Sequence, residues 1–151
     1  MPENFLTQIS TSITKTPPAI VVNGPPGVGK TSLGASMPKP LFLHDDQEDG
    51  IGALKASGIV REDIPVLPPV RRWEDVGAIL DQLAAEDLGY LTLCVDTIGG
   101  LERLCHEYVC RTKFRGDWGE EGFASFARGY EVALPHWREL IRKFDVLRKT
   151  R

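Results

Sequence analysis

The sequence predicts an α/β layered fold with a parallel sheet, and three observations carry that prediction. Short apolar runs alternate with segments of helical periodicity, a glycine-rich turn follows the first run, and a single aspartate ends a later one. The first run, residues 19–22, is β-branched at Ile20, Val21 and Val22, as a strand buried on both faces should be. It leads into Gly24-Pro25-Pro26-Gly27-Val28-Gly29-Lys30-Thr31-Ser32, which satisfies the phosphate-loop pattern G-x-x-x-x-G-K-[ST]. Such a loop aims many backbone N–H groups at one small volume ahead of a helix N-terminus. Lys30 adds a point charge for β- and γ-phosphates, and Thr31 a hydroxyl ligand for Mg²⁺. Gly24, Gly27 and Gly29 suit positions where a side chain would block phosphate approach or where φ must be positive. A plain glycine turn between strand and helix needs neither the lysine nor the hydroxyl.

The remaining elements follow in order. Residues 31–37 form a short helix that Pro38 stops. Residues 40–43, Pro-Leu-Phe-Leu, are a second strand running into Asp45, Asp46, Glu48 and Asp49, a cluster closed by Gly50. Residues 64–70 carry three prolines and read as an edge or irregular segment. A helix over 73–86 places Val76, Ile79, Leu80 and Leu83 at helical spacing, and 90–95 is an apolar strand ending at Asp96. A helix over 99–111 follows, with Leu101, Leu104, Cys105, Tyr108 and Val109 on one face. Residues 113–128 interleave aromatics, glycines and charges. The last helix, 130–149, presents Trp137, Leu140, Ile141, Phe144 and Leu147 on one side, and Pro135 fits it only in the first turn or at its start.

A strand that ends in one aspartate sets a carboxylate at the carboxyl edge of a parallel sheet, beside the phosphate loop. There Asp96 serves as the Walker B residue, reaching Mg²⁺ mostly through water while Thr31 binds it directly; the alternative is that Asp96 caps the following helix. Asp96 is followed by Thr97 and not by a glutamate, so the base that polarises an attacking water must come from elsewhere. The neighbouring strand end supplies Glu48 first and Asp46 as the alternative, within a cluster that also holds Asp45 and Asp49 and that is otherwise a solvated acidic loop. The catalytic set read from the sequence is therefore Lys30, Glu48 and Asp96, with Thr31 and Asp96 on the metal. Asp96-Thr97-Ile98-Gly99 also satisfies D-x-x-G, a GTPase motif, but Thr112-Lys113-Phe114-Arg115 has arginine where a guanine-reading aspartate belongs. ATP with Mg²⁺ is favoured over GTP. A small-molecule kinase is disfavoured by the lack of an arginine-rich lid segment.

At 151 residues and 42% hydrophobic content the chain is about one domain with a real core, divided into a loose lead-in at 1–18 and a core at 19–151. It has no run of eighteen apolar residues and no N-terminal signal, which reads as soluble and cytoplasmic, away from membranes. Cys94, Cys105 and Cys110 form no C-x-x-C pair and read as reduced thiols, with core packing preferred over metal binding for Cys105 and Cys110. The net charge is −3 but uneven: residues 1–100 carry 7 basic and 13 acidic side chains, residues 101–151 carry 11 and 8. General nucleic-acid binding is thereby disfavoured, while a local basic surface remains open. Lys113, Phe114, Arg115, Trp118, Phe123 and Arg128 suit single-stranded DNA, by stacking on aromatics beside basic groups. The competing reading packs Phe123 and Phe126 into the core and uses Trp118 to brace the loop.

Taken together, the phosphate loop, the strand at 40–43 with its acidic follow-on and Val95-Asp96-Thr97-Ile98-Gly99-Gly100-Leu101-Glu102-Arg103-Leu104 resemble the RecA-like AAA-domain ATPases encoded largely by bacteriophages and prophages, including short recombinases related to single-strand annealing proteins. His106-Glu107-Tyr108-Val109-Cys110 and the stretch 123–130 are similar to the same family and are its more distinctive part. The resemblance covers about residue 19 to the end. It implies a P-loop NTPase with a RecA-like parallel sheet flanked by helices, and an ATPase coupled to phage DNA recombination or single-stranded DNA handling in the host cytoplasm. It further implies a homo-oligomer in which a neighbour's arginine completes the site. The alternative is a nucleotide-binding assembly or regulatory module that hydrolyses little. Two departures stand out. Members often carry Thr-Glu-Gly after the second strand, where this chain has Asp45-Asp46-Gln47-Glu48-Asp49-Gly50, which leaves the base open. Members also continue into a strand with a polar sensor residue between the phosphate-loop strand and the Asp96 strand, so the resemblance implies a core that is C-terminally incomplete.

Overall fold

The computed structural model describes residues 16–150, so most of the expected lead-in at 1–18 lies outside the described residues. The elements run α1 (Lys30–Ala35), β1 (Pro40–Leu43), α2 (Gly50–Ala56), α3 (Trp73–Ala85), β2 (Thr92–Val95), α4 (Ile98–Lys113), a 3₁₀ turn (Ser125–Ala127) and α5 (Arg128–Thr150). β1 and β2 pair in parallel, with Pro40 opposite Thr92 and Leu43 opposite Val95. A parallel pair needs a long crossover, and α2 and α3 lie on it.

Side chains alternate across a strand, and here the alternation sorts the core into two layers. Leu41 and Leu43 face one way and pack with Val76, Leu80, Leu101, Leu104 and Leu140 of α3, α4 and α5. Phe42 faces the other way, onto Ile51 of α2 and Ile64. All four residues of β1 are buried, which explains the unbroken apolar run at 40–43. Full burial of each large apolar side chain here is worth about 1.5 to 3 kcal/mol. A third cluster, Cys105, Val109, Cys110, Phe123 and Ala133, joins α4 to α5. Gly129 lets α5 start directly on the Phe123 ring, because a Cβ there would sit 2.3 Å from the ring carbon.

The proline-rich segment behaves as an edge. Phe42 N–H donates to the Pro65 carbonyl (3.1 Å), Leu67 N–H to Phe42 (2.8 Å) and Val70 N–H to His44 (2.9 Å), all without a regular strand. The four expected helices match their positions within a few residues, α2 (Gly50–Ala56) was not expected at all, and the Asp96 strand is shorter than expected, Thr92–Val95.

Two expectations fail. Residues 19–22 form no strand: Ile20, Val21 and Val22 are exposed, Val21 by 89%. A strand needs a hydrogen-bonding neighbour, and among the described residues the only sheet is β1 on β2, whose ladder does not reach this run. Pro135 lies neither at the start of the last helix nor in its first turn, because α5 begins at Arg128 and runs through it. The ring removes one intrahelical hydrogen bond and crowds the preceding turn. Leu140, Ala133 and Trp137, packed against α3 and α4, hold the helix together across that break. Pro135 is itself exposed, so Pro135→Ala restores the hydrogen bond without disturbing packing. The expected result is a gain of about 2 kcal/mol in urea unfolding, after allowing for the freer unfolded chain.

Candidate functional site

The site gathers at the carboxyl ends of β1 and β2. Asp96 follows β2 directly, and its N–H donates to the Leu43 carbonyl (2.9 Å), which pins the residue to the sheet edge. Its side chain does not cap α4. Thr97 does that, its hydroxyl accepting from Gly100 N–H (3.3 Å), so the Asp96 carboxylate is left for other partners. One partner is Thr31 in the first turn of α1, whose hydroxyl donates to Asp96 Oδ2 at 2.8 Å. This contact joins the two motifs across 65 residues of chain.

Gly50, the first residue of α2, closes on the same pair. A Cβ at this position would lie 3.0 Å from Asp96 Oδ2 and 3.1 Å from Thr31 Oγ1. A side chain here would crowd the two oxygens, and they would have to give by a few tenths of an ångström. Those oxygens are hard donors of the kind Mg²⁺ takes, and Mg²⁺ typically needs one or two protein groups plus substrate phosphates and water.

The phosphate loop curls through Gly27 (φ 81°) and Gly29 (φ 95°), left-handed positions where a Cβ would be strained. Gly29 sits immediately before α1. Lys30 Nζ donates to the carbonyls of Gly24 (2.7 Å) and Pro25 (2.9 Å), so the ammonium lies across the loop made by residues 24–32.

The acidic cluster separates into distinct roles. Asp45 is 1% exposed; its Oδ1 accepts from Gln47 N–H (3.3 Å) and Glu48 N–H (3.1 Å), and its Oδ2 accepts from Arg103 (2.9 Å). Asp46 also takes a hydrogen bond from Arg103 (3.1 Å), and Asp49 caps α2 by accepting from Gly52 N–H (2.9 Å). His44 Nδ1 faces the carbonyls of Asp45 (2.8 Å) and Glu48 (2.6 Å). Carbonyls only accept, so Nδ1 carries the proton. Glu48 is exposed, and its carboxylate makes no hydrogen bond or ion pair within the described residues. The turn is held at Asp45 and His44 while the Glu48 side chain stays free.

Arg103, His44, Gly50 and Gly100 are missed by motif reasoning. A Cβ on Gly100 would lie 2.6 Å from the Asp45 carboxylate, so this glycine makes room for Asp45, and Arg103 one turn later on α4 binds it. The available signal was a glycine inside a helix, which costs about 1 kcal/mol against alanine and so marks a close approach. The hydrogen bond to Asp45, and then that to Glu107, raises the Arg103 guanidinium above its already high ordinary value.

The segment after α4 is divided. Phe123 is buried, ringed by Trp118 (4.9 Å between centroids), Tyr130 (5.1 Å), His106 (5.4 Å) and Phe114 (5.8 Å). Phe126, expected in the core on one reading, is 96% exposed at a left-handed φ of 45°. Its neighbours Ala124 to Ala127 form a tight turn whose backbone hydrogen bonds aim the ring outward. Trp118 is half-exposed, and Lys113, Arg115 and Arg128 are exposed, with Arg128 over the Phe114 ring at 6.0 Å. This group lies at the far end of the 16-residue α4, about 24 Å from Asp96 at 1.5 Å per residue. The cysteines are not placed as metal ligands: Cys105 and Cys110 belong to the core, and burial pushes the Cys105 thiol up to about 12 and the Cys94 thiol up to about 11.

The family model described as an AAA domain matches residues 16–150. No curated protein and no solved structure matches the chain. No helix among the described residues is long and apolar enough to cross a membrane.

Gly100→Ala should drive a methyl into Asp45 and destabilise the fold by about 1 to 3 kcal/mol. Gly99→Ala, whose Cβ would meet only Thr97 Oγ1 at 3.6 Å, should be neutral or slightly stabilising. Paired thermal melts check the contrast, and equal melting temperatures for the two variants would contradict it.

Proposed function

The chain belongs to the AAA domain family, and from that premise we propose that it is a Mg²⁺-dependent ATPase whose turnover is coupled to single-stranded DNA handling, in the manner of phage recombination. The observation that carries the hydrolytic part is the 2.8 Å hydrogen bond between Thr31 and Asp96, with Gly50 held bare beside it. A phosphate-loop hydroxyl and a strand-end carboxylate that touch across 65 residues are arranged to share one metal ion with a polyphosphate.

In this reading the N–H groups of Gly27, Val28, Gly29 and Lys30 receive the β-phosphate, and Lys30 turns from its own loop carbonyls to the β- and γ-oxygens. Thr31 and Asp96 would hold Mg²⁺, and the ion would supply stabilisation of negative charge at the phosphates. Glu48 orients the attacking water. Of the four clustered carboxylates it is the one without a hydrogen-bonded partner among the described residues, whereas Asp45, Asp46 and Asp49 are engaged. Lys113, Arg115 and Trp118, with the outward Phe126, form the surface for a single strand, because exposed aromatic faces and exposed cations suit stacked bases and phosphates.

Lys30→Ala should abolish nucleotide-dependent stabilisation, which for the parent at 100 times Kd is about 2.7 kcal/mol in a thermal melt. Glu48→Gln should keep Mg²⁺-ATP affinity within about twofold while lowering kcat by about 10² or more, the usual scale for a general base. A parent that binds ATP but shows no turnover, with or without single-stranded DNA, would favour a nucleotide-binding assembly module. On the DNA side, Trp118→Ala should weaken single-strand binding by about 1 to 3 kcal/mol in a fluorescence titration. Unchanged affinity would remove this surface from the proposal.

A further inference from the structure

We infer that Arg103 is a positioning residue: from α4 it clamps the turn that carries Glu48 and so fixes the backbone from which that side chain extends, relative to Asp96. The inference rests on the proposed hydrolytic reading for its consequence, but its geometry is independent of any ligand.

The clamp begins with a buried charge. Asp45 is 1% exposed, and an ion taken out of water at that depth demands both a countercharge and hydrogen bonds. Arg103 supplies the countercharge at 2.9 Å. Its guanidinium also reaches Asp46 at 3.1 Å and Glu107 at 2.7 Å, so three acceptors from two elements fix its plane. The other oxygen of Asp45 receives the N–H groups of Gln47 and Glu48. The Glu48 N–H is thus held by a carboxylate that Arg103 anchors to α4, while the Glu48 carbonyl is tied locally to His44.

The same helix begins two residues after Asp96, just past the Thr97 cap, with Arg103 in its first half. The metal carboxylate and the clamp are therefore built on one rigid element. Gly100 belongs to this arrangement, since any side chain there would displace Asp45 from its place between Arg103 and the turn. Neither the phosphate loop nor β1 contains a group that does the same work for residues 45–48: His44 ties the turn internally, and Arg71 approaches Asp46 only at 3.9 Å.

Removing Arg103 alone would leave Asp45 buried and unpaired, so the test pairs it with a neutral partner. Arg103→Met, Asp45→Asn and the double variant are compared for thermal stability, Mg²⁺-ATP affinity and kcat. Arg103→Met should lower kcat at least tenfold with affinity held within about twofold. The double variant should regain stability without regaining kcat. Recovery of both would show that Arg103 only neutralises Asp45, and would overturn the proposal. In a Glu48→Gln background, Arg103→Met should cause little further loss; an undiminished tenfold effect there would mean that Arg103 does not act through Glu48.

A parent with no turnover at all would sink the hydrolytic reading instead, and the clamp would then be judged by hydrogen exchange. Arg103→Met/Asp45→Asn should lose at least tenfold protection at the Gln47 and Glu48 amides relative to Asp45→Asn alone, with Leu101 and Leu104 unchanged. Equal protection in the two variants would overturn it.

Discussion

The parallel register of β1 on β2 is the constraint on which the rest depends. With Leu43 opposite Val95, the residues that follow each strand leave the sheet at the same edge. The acidic turn is thereby brought to the edge where Asp96 lies, and Arg103 then secures it there. Antiparallel pairing would send these two segments to opposite ends of the sheet, and a shift by one residue would turn Leu41 and Leu43 from the α3–α4–α5 layer toward α2. The apolar packing of β1 on both faces thus also sets the chemistry at its end. Stability and site geometry are one problem in this chain.

What could be read from the sequence divides along the line between local and nonlocal causes. The phosphate loop, the strand at 40–43, the aspartate after β2 and every helix but α2 were legible because each follows from short-range pattern: glycine spacing, an unbroken apolar run, a 3.6-residue period. The strand expected at 19–22 has the right composition, yet strand formation also needs a partner edge, which composition does not contain. Pro135 misled for the opposite reason. A local rule placed it at a helix start, but the packing of Ala133 and Leu140 on either side outweighs one missing hydrogen bond.

Within the site, motif spacing singled out Lys30, Thr31 and Asp96, and among the four carboxylates of the acidic turn it put Glu48 ahead of Asp46 without showing what separates them. Their separation comes from partners distant in sequence. Arg103 lies 58 residues beyond Asp45, and no repeating pattern links the two. Gly50 and Gly100 carry a faint sequence trace, as glycines at helix starts, but what each one makes room for appears only in three dimensions. The same holds for Phe126: helical spacing gives no warning that a tight turn will aim it outward.

The charge balance at the sheet edge explains why the proposed chemistry would need its cations in a particular order. Asp45, Asp46, Glu48, Asp49 and Asp96 all follow the ends of β1 and β2, and a nucleoside triphosphate approaching them adds more negative charge at short range. Arg103 is already committed to Asp45, Asp46 and Glu107, so it relieves the turn and not the ligand. Lys30 is the basic side chain built into the phosphate loop, and one ammonium cannot balance a triphosphate beside a carboxylate. A divalent ion held by Thr31 and Asp96 would offset the largest remaining repulsion. Metal-free nucleotide should therefore bind weakly to this edge, whereas a site with fewer carboxylates would discriminate less between the free and the Mg²⁺-bound forms.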